Sequence, residues 1–311
     1  MELLWAIAPF FMAGFLGTVL ARFTGLSMSM CVALFFLYMG ATPVECMAAM
    51  LMFNVFTYFT VYSSLHVMKL KGFTFFPGWK LVIPVVITIA LAAVSPFAGI
   101  WFFIFVFLME IFAKIYKDMD KAHRPAKGDI VKMVVIAAVL MSIGVALVQF
   151  VPQHYYYIVA GVVILIYAIV MWRSGNRRKG ASLWDKWLYA TAFLTGLSGI
   201  EASSWNQAMH RQQESALSRC YPIVLNGAMI LALVVSFVLY RYFSLGALFA
   251  TIGSAFGIRL FGLYAHNEKG KFSYFTLFIA VLAALIFMII QPQPVGFPVI
   301  PMAENTGIFT F

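Results

Sequence analysis

The chain has 311 residues, of which 63% are hydrophobic and 10% charged, with a formal net charge of +10. Soluble domains carry about 25% charged residues, so an ordinary globular protein is excluded and the composition is that of an all-α polytopic membrane protein. The positive charge fits cytoplasmic loops on an anionic leaflet, whereas nucleic-acid binding would need a soluble basic domain that the sequence does not offer.

In chain order, apolar runs near the roughly 17 to 25 residues of a membrane span begin with Leu3 to Ala21, Leu26 to Met39, Cys46 to Val67, Leu81 to Ala98 and Gly99 to Ile115. They continue with Ile130 to Val151, Tyr155 to Trp172, Trp187 to Ile200, Cys220 to Tyr240, Leu245 to Tyr264 and Phe272 to Ile290. The second and eighth are too short to span. Met1-Glu2 lacks the basic start of a signal peptide, so the first stretch is expected to stay in the mature protein. Cys31, Cys46 and Cys220 sit in or beside apolar tracts without metal-ligand spacing, which predicts buried free thiols rather than disulfides.

A Thr-Gly-Leu-Ser turn is expected twice, at Thr24-Gly25-Leu26-Ser27 and at Thr195-Gly196-Leu197-Ser198. A membrane helix breaks only where its freed backbone groups meet protein or a wet cavity, and paired breaks, one per half, point to a transporter's substrate site. Basic residues gather in three loops: Lys69 and Lys71, Lys117 to Lys132, and Arg173 to Lys186. Two spans separate neighbouring loops, so all three fall on one side, which the positive-inside rule makes cytoplasmic. If each broken pair returns to the side it entered, the two halves are inverted repeats; if each instead crosses once, the three basic loops stay inside and the loop with Lys269 and Lys271 moves outside. The expected organisation is a first membrane repeat over 1–116, a central linker with two membrane segments over 117–186, a second repeat over 187–290, and a Pro-rich tail over 291–311. Pro292, Pro294, Pro298 and Pro301 keep that tail from being helical throughout.

The polar stretch Glu201 to Arg219 follows the second break. Ser203, Ser204 and Asn206 are candidate hydrogen-bond donors to a bound anion, and His210, Arg211 and Arg219 candidate positive charges. The bland reading of the same stretch is a solvated amphipathic helix. In the first half Gly25, Ser27 and Ser29 surround the break, with Arg22 just before it. Asn54 and Asn226 follow Gly25 and Gly199 at closely similar spacings and would be either interhelical glue or site ligands. Glu110 and Lys114, at i and i+4, read as a snorkelling interfacial ion pair, with proton coupling by Glu110 the lesser alternative. Met28, Met30 and Cys31, with Met47, Met50 and Met52 nearby, could form a soft copper site, but thioethers also fill apolar cores. Walker, Rossmann, hydrolase and His-Glu-x-x-His patterns are absent, so nothing points to an enzyme, and no cofactor is expected.

Gly40-Ala41-Thr42-Pro43-Val44-Glu45-Cys46-Met47-Ala48, following a glycine-containing break, resembles the TauE/SafE family of sulfite and organosulfonate permeases. Phe193 to Ile200, Glu214-Ser215-Ala216 and Gly253 to Gly257 look similar in the second half. Where that family carries Gly-Ile-Gly-Gly-Gly, this chain has Gly25-Leu26-Ser27-Met28-Ser29 and Gly199-Ile200-Glu201-Ala202-Ser203. The resemblance implies a multi-pass inner-membrane permease that moves sulfite, a sulfonate or a small carboxylate by alternating access. Its partners would be the lipid bilayer and the anion, with a second copy or a partner subunit left open. Rival readings are a non-transporting subunit of a larger complex and a copper transporter.

Overall fold

The computed structural model describes residues 2–67, 78–94, 98–99, 101–103, 105–106, 109, 112–113, 116, 125–175, 181–202, 205, 216–242, 244–261 and 274–289. Among these residues the protein is all-helical. We label the helices α1 (Glu2–Thr24), α2 (Met28–Tyr38), α3 (Pro43–Val67), α4 (Gly78–Val94), α5 (Lys127–Leu147), α6 (Gln153–Gly175), α7 (Ala181–Ser198), α8 (Ala216–Tyr240), α9 (Leu245–Phe261) and α10 (Tyr274–Ile289). A short 3-10 turn, Val148–Phe150, links α5 to α6. The apolar stretches at Ile7–Thr24, Lys127–Phe150, Gln153–Arg173 and Ile223–Tyr240 are long and apolar enough to cross a membrane. Helices form at the expected segments other than Gly99 to Ile115, much of which lies outside the described residues, and the second is as short as expected. Glu110, Lys114 and the tail over 291–311 lie outside the described residues.

The outward faces are strongly apolar, as in helices that cross a membrane. On α5 the exposed residues Val131, Val135, Val139, Ile143 and Leu147 recur every fourth position, while Ala137, Met141, Gly144 and Val145 point inward. On α10 Phe275, Phe278, Leu282, Leu285 and Ile289 are exposed, and Thr276, Ala280 and Ala284 are buried. Large apolar residues outside with small residues inside is the pattern expected where lipid supplies no hydrophobic drive and close backbone packing holds helices together.

Contacts divide the chain into two compact units, one of Met1–Val55 with Pro125–Phe311 and one of Phe56–Arg124. In the smaller unit Gly99 packs against Ala92 and the Thr88 carbonyl, and the rings of Phe56 and Trp101 lie 5.1 Å apart.

In the larger unit, glycines set the helix pairs. A Cβ added to Gly14 would overlap the Ala250 carbonyl, and one on Gly253 would overlap the Phe11 carbonyl, so α1 and α9 touch backbone to backbone. Their register rises together: Phe10 meets Gly246, Gly14 meets Ala250, Thr18 meets Ser254, and Arg22 Nε donates to the Phe261 carbonyl at 3.2 Å. The two helices are therefore parallel. α2 folds back along α1, with Val32 against Gly17 and the rings of Phe36 and Phe10 5.7 Å apart, so α1 and α2 form a hairpin. α5 is locked to α7 in the same manner, Gly196 against the Met141 carbonyl and Gly144 against Phe193 and Leu197. α8 runs parallel to α5, Gly227 meeting Val134 and the Tyr240 hydroxyl donating to the Val145 carbonyl at 2.7 Å.

The second Thr-Gly-Leu-Ser is not a turn, contrary to the sequence expectation. α7 runs through it to Ser198, because Gly196 is needed inside the helix for the close approach to α5. The chain breaks one residue later, at Gly199, whose φ of 71° is a left-handed conformation that matches the φ of 77° at Gly25.

The connection between α2 and α3 is also fixed locally. Gly40, with φ 84°, donates to the Leu37 carbonyl while Ala41 donates to the Phe36 carbonyl, a Schellman stop. Two residues on, the Thr42 amide donates to Glu45 Oε2 at 2.8 Å and the Glu45 amide to Thr42 Oγ1 at 3.4 Å, a capping box around a proline at the first helical position. Gly40 to Glu45 thus stops one helix and starts the next.

Candidate functional site

The two breaks meet each other inside the larger unit. α1 ends after Thr24 because Gly25 enters the left-handed region, its amide still donating to the Ala21 carbonyl at 3.0 Å. α2 restarts after Ser27, an N-cap whose Oγ accepts the Ser29 amide at 3.2 Å. The Ser27 hydroxyl also donates to the Glu201 carbonyl, and Ser29 Oγ accepts the Glu201 amide at 2.9 Å. The peptide groups flanking the Glu201 Cα in the second break are therefore held by two serines of the first. In return the Trp205 indole donates to the Gly25 carbonyl at 2.8 Å.

The other freed backbone groups find partners on separate helices. Asn54 of α3 donates to the Gly199 carbonyl at 2.9 Å, and the Tyr156 hydroxyl of α6 donates to the Ser198 carbonyl at 2.7 Å. The Tyr167 hydroxyl stands 3.2 Å from Thr195 Oγ1 and 3.5 Å from the Ile200 carbonyl. The Ile200 amide donates to Ser198 Oγ at 3.1 Å. A break frees backbone groups that need other partners when they are buried. Here side chains from α2, α3 and α6 satisfy them, and all of these residues are buried.

Of the residues singled out from sequence, Gly25, Ser27, Ser29, Asn54 and Gly199 come together at this crossing. Arg22 lies one turn before the first break, half-buried, with its guanidinium on the end of α9. Asn226 is buried within α8. Ser203, Ser204, Asn206, His210 and Arg211 lie outside the described residues, and although Arg219 is on α8 its side chain is not described. Near the first break the Thr18 and Ser254 hydroxyls, 2.9 Å apart, both reach Met28 Sδ, at 3.7 and 3.8 Å. One helical turn puts Met28 and Cys31 on one face of α2 and sends Met30 to another. Cys31, Cys46 and Cys220 are free thiols, all buried. Among the described residues no three His, Cys, Asp or Glu side chains gather as metal ligands.

Sequence reasoning passed over four participants: Glu201 as a site residue in its own right, Trp205, Tyr156 and Tyr167. The two tyrosines carried a usable signal, since a phenol in the middle of an apolar helix must find a hydrogen-bond partner. Chemically, the crossing concentrates hydroxyl, amide and indole donors and the N-terminus of α2, whose partial positive charge favours an anion nearby. No family model, curated protein or solved structure matches this chain.

Proposed function

We propose that this protein is a permease for a small anion, such as sulfite, a sulfonate or a small carboxylate, located in the inner membrane and working by alternating access. The observation that carries the proposal is the meeting of two helix breaks inside the bundle. Broken helices cost backbone hydrogen bonds in lipid and recur where transporters hold their substrates.

In this reading the halves are inverted repeats and the chain is a divergent relative of the sulfite and organosulfonate permeases. Two arrangements support the layout: the hairpin of α1 and α2, which brings the chain back toward the end where α1 began, and the matching glycine locks of α1 on α9 and of α7 on α5. The serines at the first break and Asn54 would exchange their backbone partners for the anion as the site opens. Arg22, His210, Arg211 and Arg219 would balance its charge, with Ser203, Ser204 and Asn206 as further donors and Asn226 as the counterpart of Asn54.

The test is a thermal-unfolding screen of the purified full chain in detergent against sulfite, methanesulfonate, acetate and copper(I). A ligand at about a hundred times its Kd stabilises the folded state by about 2.7 kcal/mol. At least one of the anions is expected to raise the melting temperature in a saturable manner. Stabilisation by copper alone would favour the metal carrier, and none by any ligand the docking subunit.

A further inference from the structure

Glu201 is a carboxylic acid placed where the two breaks meet. It is 6% exposed, and its own amide and carbonyl are fixed by Ser29 and Ser27 at the first turn of α2. Its position is thus set by the same contacts that hold the breaks together, and it cannot withdraw to a membrane surface as a lysine or arginine near a helix end can. The Tyr167 phenol of α6 lies near enough to feel the charge of Glu201. α2 contributes the hydroxyls of Ser27 and Ser29, and Trp205 of the same break contributes its indole. An ionisable side chain inside a membrane bundle is expensive to keep and commonly marks an ion or proton pathway.

We propose that Glu201 is the proton-coupling group of the permease, taking up one proton with each anion that enters the crossing. The inference rests on the anion reading above. Two unit negative charges about 5 Å apart at an effective dielectric constant of about 20 repel enough to weaken binding on the order of a hundredfold. An anion at the crossing is therefore held more weakly while Glu201 is ionised than once Glu201 is protonated. When the site faces one side, the carboxylate accepts a proton to become the acid and the anion binds. When it faces the other side, the anion departs and the proton is released to water. For a monovalent anion the cycle moves one proton and one negative charge together, so no net charge crosses.

The experiment uses the full chain in proteoliposomes with radiolabelled methanesulfonate, which stays ionised across the pH range, and a trapped pH dye. The wild type should acidify the lumen as methanesulfonate enters, one proton per anion. An inward proton gradient of about one pH unit should drive about tenfold accumulation. Glu201→Gln should take up methanesulfonate down its own gradient with no dye signal, and a proton gradient should no longer concentrate it. Glu201→Asp, which keeps the acid, should keep the coupling and so separates lost chemistry from lost folding. Gradient-driven accumulation by Glu201→Gln equal to the wild type, or wild-type uptake without proton movement, would overturn the coupling role while leaving the permease standing. A wild type that moves no methanesulfonate, sulfite or acetate under any gradient would remove the permease reading and the coupling role with it.

Discussion

Replacing Asn54 by Leu removes the donor to the Gly199 carbonyl without emptying the space the side chain fills. In an intact helix such a loss is modest, and interhelical hydrogen bonds in membrane proteins average about 0.6 kcal/mol. Gly199 differs because it lies beyond the end of α7 with φ 71°, so its carbonyl is outside the helical ladder. Its partner is the Asn54 amide at 2.9 Å, on a residue only 5% exposed. Stranding a buried acceptor costs about 1 to 3 kcal/mol, and that is the loss expected for Asn54→Leu. Thr251→Val supplies the control. Thr251 is similarly buried, at 6%, and its hydroxyl donates to the Ala247 carbonyl at 2.8 Å, but that carbonyl sits inside α9 and also has the helical amide four residues on. Its loss should stay within about 0.5 kcal/mol. Equilibrium unfolding in mixed detergent micelles measures both. Equal costs for the two variants would refute the idea that the break carbonyl depends on Asn54.

Gly196→Ala should destabilise by about 1 to 3 kcal/mol, because the added Cβ overlaps the Met141 carbonyl, whereas Gly128→Ala, with nothing within 4 Å, should be neutral or slightly stabilising in the same unfolding assay. Arg241, exposed and at φ 52° just past the end of α8, should tolerate Gly with a gain of about 0.5 to 1 kcal/mol, and a loss would show that its side chain contributes more than its backbone strain costs. Met28→Leu with Met30→Leu keeps volume and apolarity and should leave anion stabilisation intact; one copper per purified chain, lost in that double variant, would instead make the protein a metal carrier. Cysteines at Lys71, Lys127 and Arg177 should all label from the cytoplasmic side, and any one labelling from outside would break the inverted layout.

The helical class, most segment positions and the shortness of α2 were legible from hydropathy and length, since these depend on local composition. The first break was legible too, because Gly25 is followed by an N-capping serine. The second was misplaced by three positions, from Gly196 to Gly199, as the same four letters stay helical where Gly196 is required against α5. Which of two glycines packs and which turns is decided by a partner helix distant in sequence. Asn54 was recognised as either glue or ligand, and its bond to Gly199 is a contact across 145 positions that periodicity cannot supply. Glu201 was read as one polar residue in a polar stretch; its place at the crossing follows from two serines more than 170 positions earlier.

Flux is the most direct test of the permease reading. Purified protein in proteoliposomes preloaded with unlabelled sulfite, methanesulfonate or acetate should draw in the labelled anion by counterflow at a rate above that of empty liposomes, and Arg211→Ala and Arg219→Ala should each weaken apparent affinity roughly tenfold to a hundredfold, the loss of one charge-assisted bond. Labelled anion entering no faster than into empty liposomes, from a preparation that is folded and correctly inserted, would contradict the assignment of this protein as an anion permease.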